Sequence, residues 1–324
     1  MHLDYDSQVA VCQVGEADFF VRTDLEQPLE LSMDLDSKLH NMTTLMLTKT
    51  PQGAVAQGTG FFYSVSDQAD PGGPEYQWVQ TDIWVITNRH VVMPRVNDME
   101  TFPSSITIHL RRQDTLGRLE WAPVVISGDD IKERVKFHPN ERVDVAAIDV
   151  TKPLVQELDS NKHRFTYASP FCLSRGLLAR NNKEIRIEAS SDVLVVGYPR
   201  GFYDNVNLFP IVKSGIVASR WGSDFQGDPC FLIDAKLFPG SSGSVVISKP
   251  IDITLKDGRL LVLKNDEKAF ALLGVFSGEP QTQSQPVAVG DLTITQTLEY
   301  GLGVVWYSNV IEELLGDRAR FVRG

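Results

Sequence analysis

The run Cys230-Phe231-Leu232-Ile233-Asp234-Ala235-Lys236-Leu237-Phe238-Pro239-Gly240-Ser241-Ser242-Gly243-Ser244-Val245-Val246-Ile247 decides the fold. Its two ends are short apolar stretches of strand character and its middle is a Gly/Ser turn. The nucleophile elbow of α/β-hydrolases, Gly-x-Ser-x-Gly, leads from a strand into a helix. Here Ser244 takes the last position of that motif and a strand follows. The run therefore reads as strand, turn, strand, in an antiparallel all-β protein. By composition alone the turn is equally a plain hairpin. Gly240 gives it a chemical reading: its conformational freedom lets its amide and that of Ser242 face one hollow, and two such donors suit the oxyanion of a tetrahedral intermediate. Gly243 is expected to leave room for a substrate.

The rest of the chain repeats this strand grammar. Thr43–Thr48, Trp84–Thr87, Ile106–Leu110 and Val193–Val196 are short and apolar or alternating, and Pro71-Gly72-Gly73-Pro74 and Asp257-Gly258 punctuate them. One helix is expected, capped by Ser308, with a stripe of Val310, Ile311, Leu314 and Leu315, and ended by Gly316. The chain divides into an acidic N-terminal extension (1–37), a first β-block (38–150), a polar connector (151–180) and a second β-block with the helix (181–324). The extension reads as an extra strand or a partner-binding arm. Segments 64–80 and 279–297 read as long hairpins or surface loops.

At 324 residues, 42% hydrophobic and 23% charged, the chain can bury a sizeable core. A net charge of -11 argues against a nucleic-acid partner. No apolar run is long enough to span a bilayer, and the acidic start is not a signal peptide. Cys12, Cys172 and Cys230 are too few and too scattered for a disulfide framework or a metal site. They read as free thiols of a cytoplasmic protein, with neither metal nor cofactor expected.

A serine hydroxyl needs a base to become nucleophilic. Of the six histidines, His90 ends the apolar run Trp84-Val85-Ile86-Thr87-Asn88-Arg89-His90. His109 sits inside an alternating strand, and His2, His40, His138 and His163 lie in polar surroundings. In Arg142-Val143-Asp144-Val145-Ala146-Ala147-Ile148-Asp149-Val150, strand alternation puts Asp144 on the face of Ala146 and Ile148, where a carboxylate needs a partner. The His90 imidazole supplies one; Asp149 falls on the opposite face. The order His, Asp, Ser is that of chymotrypsin-type enzymes, and not of subtilisins or α/β-hydrolases.

With these residues on the page, the chain resembles trypsin-like serine proteases of the HtrA/Deg branch. Gln57-Gly58-Thr59-Gly60-Phe61-Phe62, Ile86–Val92, Asp144–Ile148, Val196-Gly197-Tyr198-Pro199-Arg200-Gly201, Ser214–Val217, Ile233–Ser244 and Gly301–Val305 are similar to its motifs, in its order, over about residues 41–315. The resemblance implies two six-stranded antiparallel β-barrels of the chymotrypsin type with a C-terminal helix. It implies a serine endopeptidase working through an acyl-enzyme: Ser242 as nucleophile, His90 as base and acid, Asp144 as the orienting acid, and the amides of Gly240 and Ser242 as the oxyanion hole. It also implies that Phe276-Ser277-Gly278 pairs with an extended peptide. Lys236, six residues before the nucleophile, would lie at the base of the specificity pocket and favour acidic side chains, unless it points to solvent.

Ser241 and Ser244 depart from the family's Asn and second Gly, and no PDZ domain follows. The partners implied are a peptide or protein substrate and, if the domain is latent, an activating partner. The rival reading is a latent or inactive domain that acts as a partner-regulated or peptide-binding module.

Overall fold

The computed structural model describes residues 9–14, 17–22, 34–65, 82–161, 163–168, 170–180, 185–199, 202–256, 259–262, 268–280, 282–283, 287–289, 292–294, 297–298 and 300–316. The architecture is mostly β with few helices.

The first block is a nine-stranded sheet. Its path runs Val135–Phe137, Ala146–Asp149, Ile83–Thr87, Val55–Ser64, Thr43–Lys49, Ser105–Asp114 and Phe165–Tyr167; Leu173–Ser174 and Leu119–Ser127 attach to its flank. Period-two patterning dictates which face is covered. Along Ser105–Asp114, Ile106, Ile108 and Leu110 are buried while Thr107, His109 and Arg111 are half-buried. The inward set packs with Met46, Phe62, Val85, Val124 and Ile148 in one core.

The second block is a closed six-stranded barrel: Asp192–Gly197, Ile211–Val217, Cys230–Asp234, Leu302–Tyr307, Leu272–Gly278 and Val245–Ser248. Val193, Val195, Phe231, Ile233, Val246, Leu273 and Val305 fill it. The expectation of two closed barrels thus holds for this block, whereas the first is an extended sheet whose described pairings do not close.

A third apolar cluster welds the blocks. Phe61, Tyr63, Trp84 and Ile86 from the sheet meet Val196, Val245, Val275 and Trp306 from the barrel. Phe61–Tyr63 and strand Ile83–Thr87 are therefore covered on both faces and read as continuous apolar runs. Their C-terminal partner is the helix Asn309–Leu315. Its predicted stripe is buried and Gly316 ends it at φ +67°. Ser308 precedes the helix but makes no side-chain cap; its amide donates to Leu273 instead.

Two expectations about the flanks are refined. The connector carries the helix Thr151–Asn161 and two strands of the first sheet. That helix is mostly polar and buries only Leu154, so it lacks a stripe that periodicity could detect. In the extension, Val9–Val14 and Ala17–Arg22 form a hairpin that pairs in parallel with Arg259–Val262 of the insertion at 251–268, so the extra-strand reading fits. The proposed loop at 64–80 falls, beyond Val65, outside the described residues. No helix among the described residues is long and apolar enough to cross a membrane.

Cys230 lies in the cluster between the blocks and Cys172 packs against the first core. Burial pushes their thiols up, to about 11 and about 12 respectively. At pH 8 the reactive thiolate is then about one part in a thousand or less at either site. In a Cys12→Ser protein we expect neither to take up iodoacetamide within an hour under native conditions, and both to react in guanidinium. Rapid native labelling of either, read by mass spectrometry, contradicts the burial argument.

Candidate active site

His90 and Asp144 meet at the seam between sheet and barrel. Strand Ile83–Thr87 gives way at the extended Asn88 (φ -86°, ψ 150°) to the single turn Arg89–Val92, and this turn carries His90. Asp144 is not on a strand face, as alternation suggested. Its strand begins only at Ala146, and Asp144 sits in the preceding loop. Asn88, itself fully buried, holds that loop by donating Nδ2–H to the Asp144 carbonyl at 2.7 Å.

The Asp144 carboxylate receives three hydrogen bonds. The His90 backbone N–H donates to Oδ1 at 3.0 Å, and His90 Nδ1 lies 2.7 Å from Oδ2. The Ser277 hydroxyl donates to the same Oδ2 at 2.5 Å. An ionised carboxylate only accepts, so Nδ1 carries the imidazole proton and Nε2 is left as a lone-pair acceptor. The His90 side chain keeps 47% exposure, so a substrate in the cleft can reach that nitrogen.

The turn bearing Ser242 is over-determined. Ser241 N–H donates to Phe238 at 3.0 Å, Gly243 N–H to Phe276 at 2.8 Å and Ser244 N–H to Ser241 at 2.9 Å. Gly240 and Gly243 have φ of +89° and +83°, values that favour glycine. Among the described residues the amides of Gly240 and Ser242 donate to nothing. The Ser242 hydroxyl donates to the Ser277 carbonyl at 2.8 Å, and no described bond joins it to His90. Ser277 therefore touches both groups, its hydroxyl on Asp144 and its carbonyl on Ser242. It can do so because register slips between Phe276 and Gly278 opposite Leu302–Tyr307, which makes Ser277 the extra residue of a bulge.

Thr59 ties the turn to the sheet. Its N–H donates to the Ser242 carbonyl at 2.9 Å and its hydroxyl to the Gly240 carbonyl at 3.3 Å. Its hydroxyl also accepts the Tyr198 N–H at 2.8 Å, and its carbonyl accepts the Thr87 hydroxyl at 2.7 Å. Thr59, Asn88 and the Asp144 contact of Ser277 were not singled out from sequence. The only signals were a polar residue flanked by glycines in an apolar strand and an Asn just before His90.

Several expectations need correction. Gly243 does not make room for substrate: a Cβ there would meet the Thr59 carbonyl at 2.0 Å and the Thr87 hydroxyl at 2.4 Å. Phe276 is buried in the barrel core and both its backbone groups are used, the N–H on Ser244 and the carbonyl on Gly243, so any peptide-pairing edge starts at Ser277 and Gly278. Lys236 is exposed, in accord with the solvent reading; its carbonyl is covered by Lys213 Nζ, which also lies 4.8 Å over the Phe238 ring. Ser244 fits where the family has glycine because Gly197 faces it, a Cβ on Gly197 falling 1.9 Å from Ser244 Oγ. His138 is buried, and its polar surroundings are Glu313 of the C-terminal helix and the Asn140 backbone.

Residues 58–250 match the family model described as a trypsin-like peptidase domain. No curated protein matches the chain. Among solved structures, the chain is similar to the Rv3671c protein of M. tuberculosis H37Rv in its inactive form (16% identity, 93% of this chain and 97% of that one, TM-score 0.39). It is similar to the tobacco etch virus protease complexed with product (12% identity, 91% and 83%, TM-score 0.42). It is also similar to the protease Anisep of Arthrobacter nicotinovorans (10% identity, 87% and 96%, TM-score 0.42).

Proposed function

This chain belongs to the trypsin-like peptidase domain family, and from that premise we propose that it is a serine endopeptidase acting through His90, Asp144 and Ser242. Its motifs resemble those of HtrA/Deg-like enzymes, and the composition suits a cytoplasmic one.

The single observation that carries the proposal is the 2.7 Å contact of His90 Nδ1 with Asp144 Oδ2. Asp144 accepts the Nδ1–H hydrogen bond, which leaves Nε2 as the base. In the reaction the Ser242 hydroxyl turns from the Ser277 carbonyl to Nε2, gives up its proton and adds to the scissile carbonyl. The free amides of Gly240 and Ser242 are the donors for the oxyanion. The imidazolium, stabilised by Asp144, then protonates the leaving amine, and the acyl-enzyme remains. Water repeats both steps with the proton path reversed, releasing the acid and free Ser242. The extended peptide pairs along Ser277 and Gly278.

The hydrogen bond from Ser242 to Ser277 also favours a second reading, a domain latent until substrate or a partner redirects the hydroxyl. Labelling by a fluorophosphonate probe separates the two. We expect labelling of the purified wild type, and none of Ser242→Ala. Labelling only after addition of cell extract selects the latent reading; no labelling under either condition overturns the enzyme and leaves a peptide-binding module.

A further inference from the structure

Both residues that offer an amide to the oxyanion have their carbonyls held by the same threonine. The Thr59 N–H donates to the Ser242 carbonyl at 2.9 Å, and the Thr59 hydroxyl donates to the Gly240 carbonyl at 3.3 Å. Each held carbonyl thus lies one Cα from an amide that donates to nothing among the described residues. The two holds differ in kind. The first is a backbone bond that most residues at position 59 would make. The second requires a hydroxyl. Thr59 brings one, fully buried, into a strand where both its neighbours are glycines.

A buried hydroxyl must spend its proton and find a donor for its oxygen. Thr59 Oγ1 does both, giving its proton to Gly240 and taking the Tyr198 N–H at 2.8 Å. No other described donor reaches the Gly240 carbonyl. Gly240 has little else to fix it. Phe238 to Ser241 form a β-turn closed by the Ser241 N–H, with Pro239 second and Gly240 third at φ +89°, the signature of type II. Glycine has no side chain to pack there, and its backbone enters other regions as readily. The remaining bonds of the turn, made by the amides of Ser241, Gly243 and Ser244, do not touch Gly240. Thr59 is also referenced to the other half of the site. Its carbonyl accepts the Thr87 hydroxyl at 2.7 Å, and Thr87 ends the strand that leads into the turn of His90.

We propose that Thr59 is a positioning residue for the oxyanion hole, acting through its hydroxyl on Gly240. This rests on the serine peptidase reading above and deepens it. Without the hydroxyl the turn keeps its other bonds, but Gly240 is free to rotate and one of the two donors misses the oxyanion. A misplacement of about 1 Å costs on the order of 10²-fold in rate. The loss falls on the bond-making step, because the hollow is filled only as the oxyanion forms.

The test compares wild type, Thr59→Val and Thr59→Ser in the rate at which a fluorophosphonate modifies Ser242. The phosphonyl oxygen takes the place of the oxyanion, so the reaction reads the hollow directly. Each protein is measured below its own melting transition, under whichever condition labels the wild type. Valine keeps the β-branch and the backbone bond to Ser242 but has no hydroxyl; serine keeps the hydroxyl. We expect the maximal labelling rate of Thr59→Val to fall by about 10²-fold, with the half-saturating probe concentration unchanged. Thr59→Ser should label at close to the wild-type rate. If Thr59→Val does not fold, Thr59→Ala is measured in its place. A hydroxyl-free variant that labels as fast as wild type, or a Thr59→Ser protein no faster than that variant, overturns the role of Thr59 alone. So does failure of both hydroxyl-free variants to fold beside a folded Thr59→Ser, which would make the hydroxyl a requirement of the fold. A wild type that labels under no condition is a different result: it overturns the peptidase reading, and this inference with it.

Discussion

Asp144→Asn is expected to lower kcat by about 10⁴-fold with little change in KM or melting temperature; the magnitude is that of the general Ser-His-Asp template. All three groups that face this carboxylate are donors: the His90 N–H, His90 Nδ1–H and the Ser277 hydroxyl. An asparagine must place its own NH₂ against one set of them. On the Oδ1 side the NH₂ meets the fixed His90 backbone N–H, which cannot rearrange. On the Oδ2 side it meets His90 Nδ1 and Ser277, and both can. Ser277 can turn its hydroxyl into an acceptor, and the imidazole can move its proton to Nε2. The second arrangement wins, and its product is an imidazole whose Nε2 can no longer take the Ser242 proton. Substrate contacts along Ser277 and Gly278 are untouched, so the loss falls on kcat. Steady-state kinetics on a peptide substrate checks this. A loss below about tenfold, against the 10⁴ expected, would show that Asp144 does not set the tautomer.

This prediction draws on features of uneven visibility in the sequence. Chain order pointed to His90, Asp144 and Ser242, and the glycines around Ser242 marked a turn with unusual backbone angles. Period-two runs placed strands with one covered face, such as Ser105–Asp114, and a continuous apolar run placed Ile83–Thr87, which is covered on both. Parity failed for Asp144 because the residue belongs to a loop, and a loop has no period. It is held by Asn88, 56 residues away, and Ser277, 133 residues away. The Ser277 contact depends on how the sheet and barrel dock, and the Asn88 contact on how two strands of the sheet pair, which no local pattern encodes. The same holds for Ser277, whose two-sided role exists only because a bulge turns it. The helix Thr151–Asn161 was missed for the opposite reason: with one buried apolar residue it leaves almost no hydrophobic signal.

Gly243→Ala is expected to destabilise the protein by about 2–5 kcal/mol, combining the strain of a left-handed backbone on a residue with a side chain and the strain of overpacking. The comparison glycine is Gly53, with nearly the same φ, +85° against +83°, but nothing within 4 Å of its missing Cβ. Gly53→Ala should cost about 1–2 kcal/mol, the backbone term alone. The excess at Gly243 comes from Thr59. The new methyl would overlap the Thr59 carbonyl, and Thr59 cannot retreat without breaking its bonds to Ser242, Gly240, Tyr198 and Thr87. Each buried group so orphaned adds a cost of about 1–3 kcal/mol, so relaxation is no cheaper than the clash. A difference of this size moves the melting temperature on the order of 10 °C, against a few degrees for Gly53→Ala. Had Gly243 served to admit substrate, the same substitution would raise KM and leave thermal stability at the Gly53→Ala level. Melting curves and KM measured on the two variants side by side decide between packing and access, and that second outcome would return Gly243 to the substrate cleft.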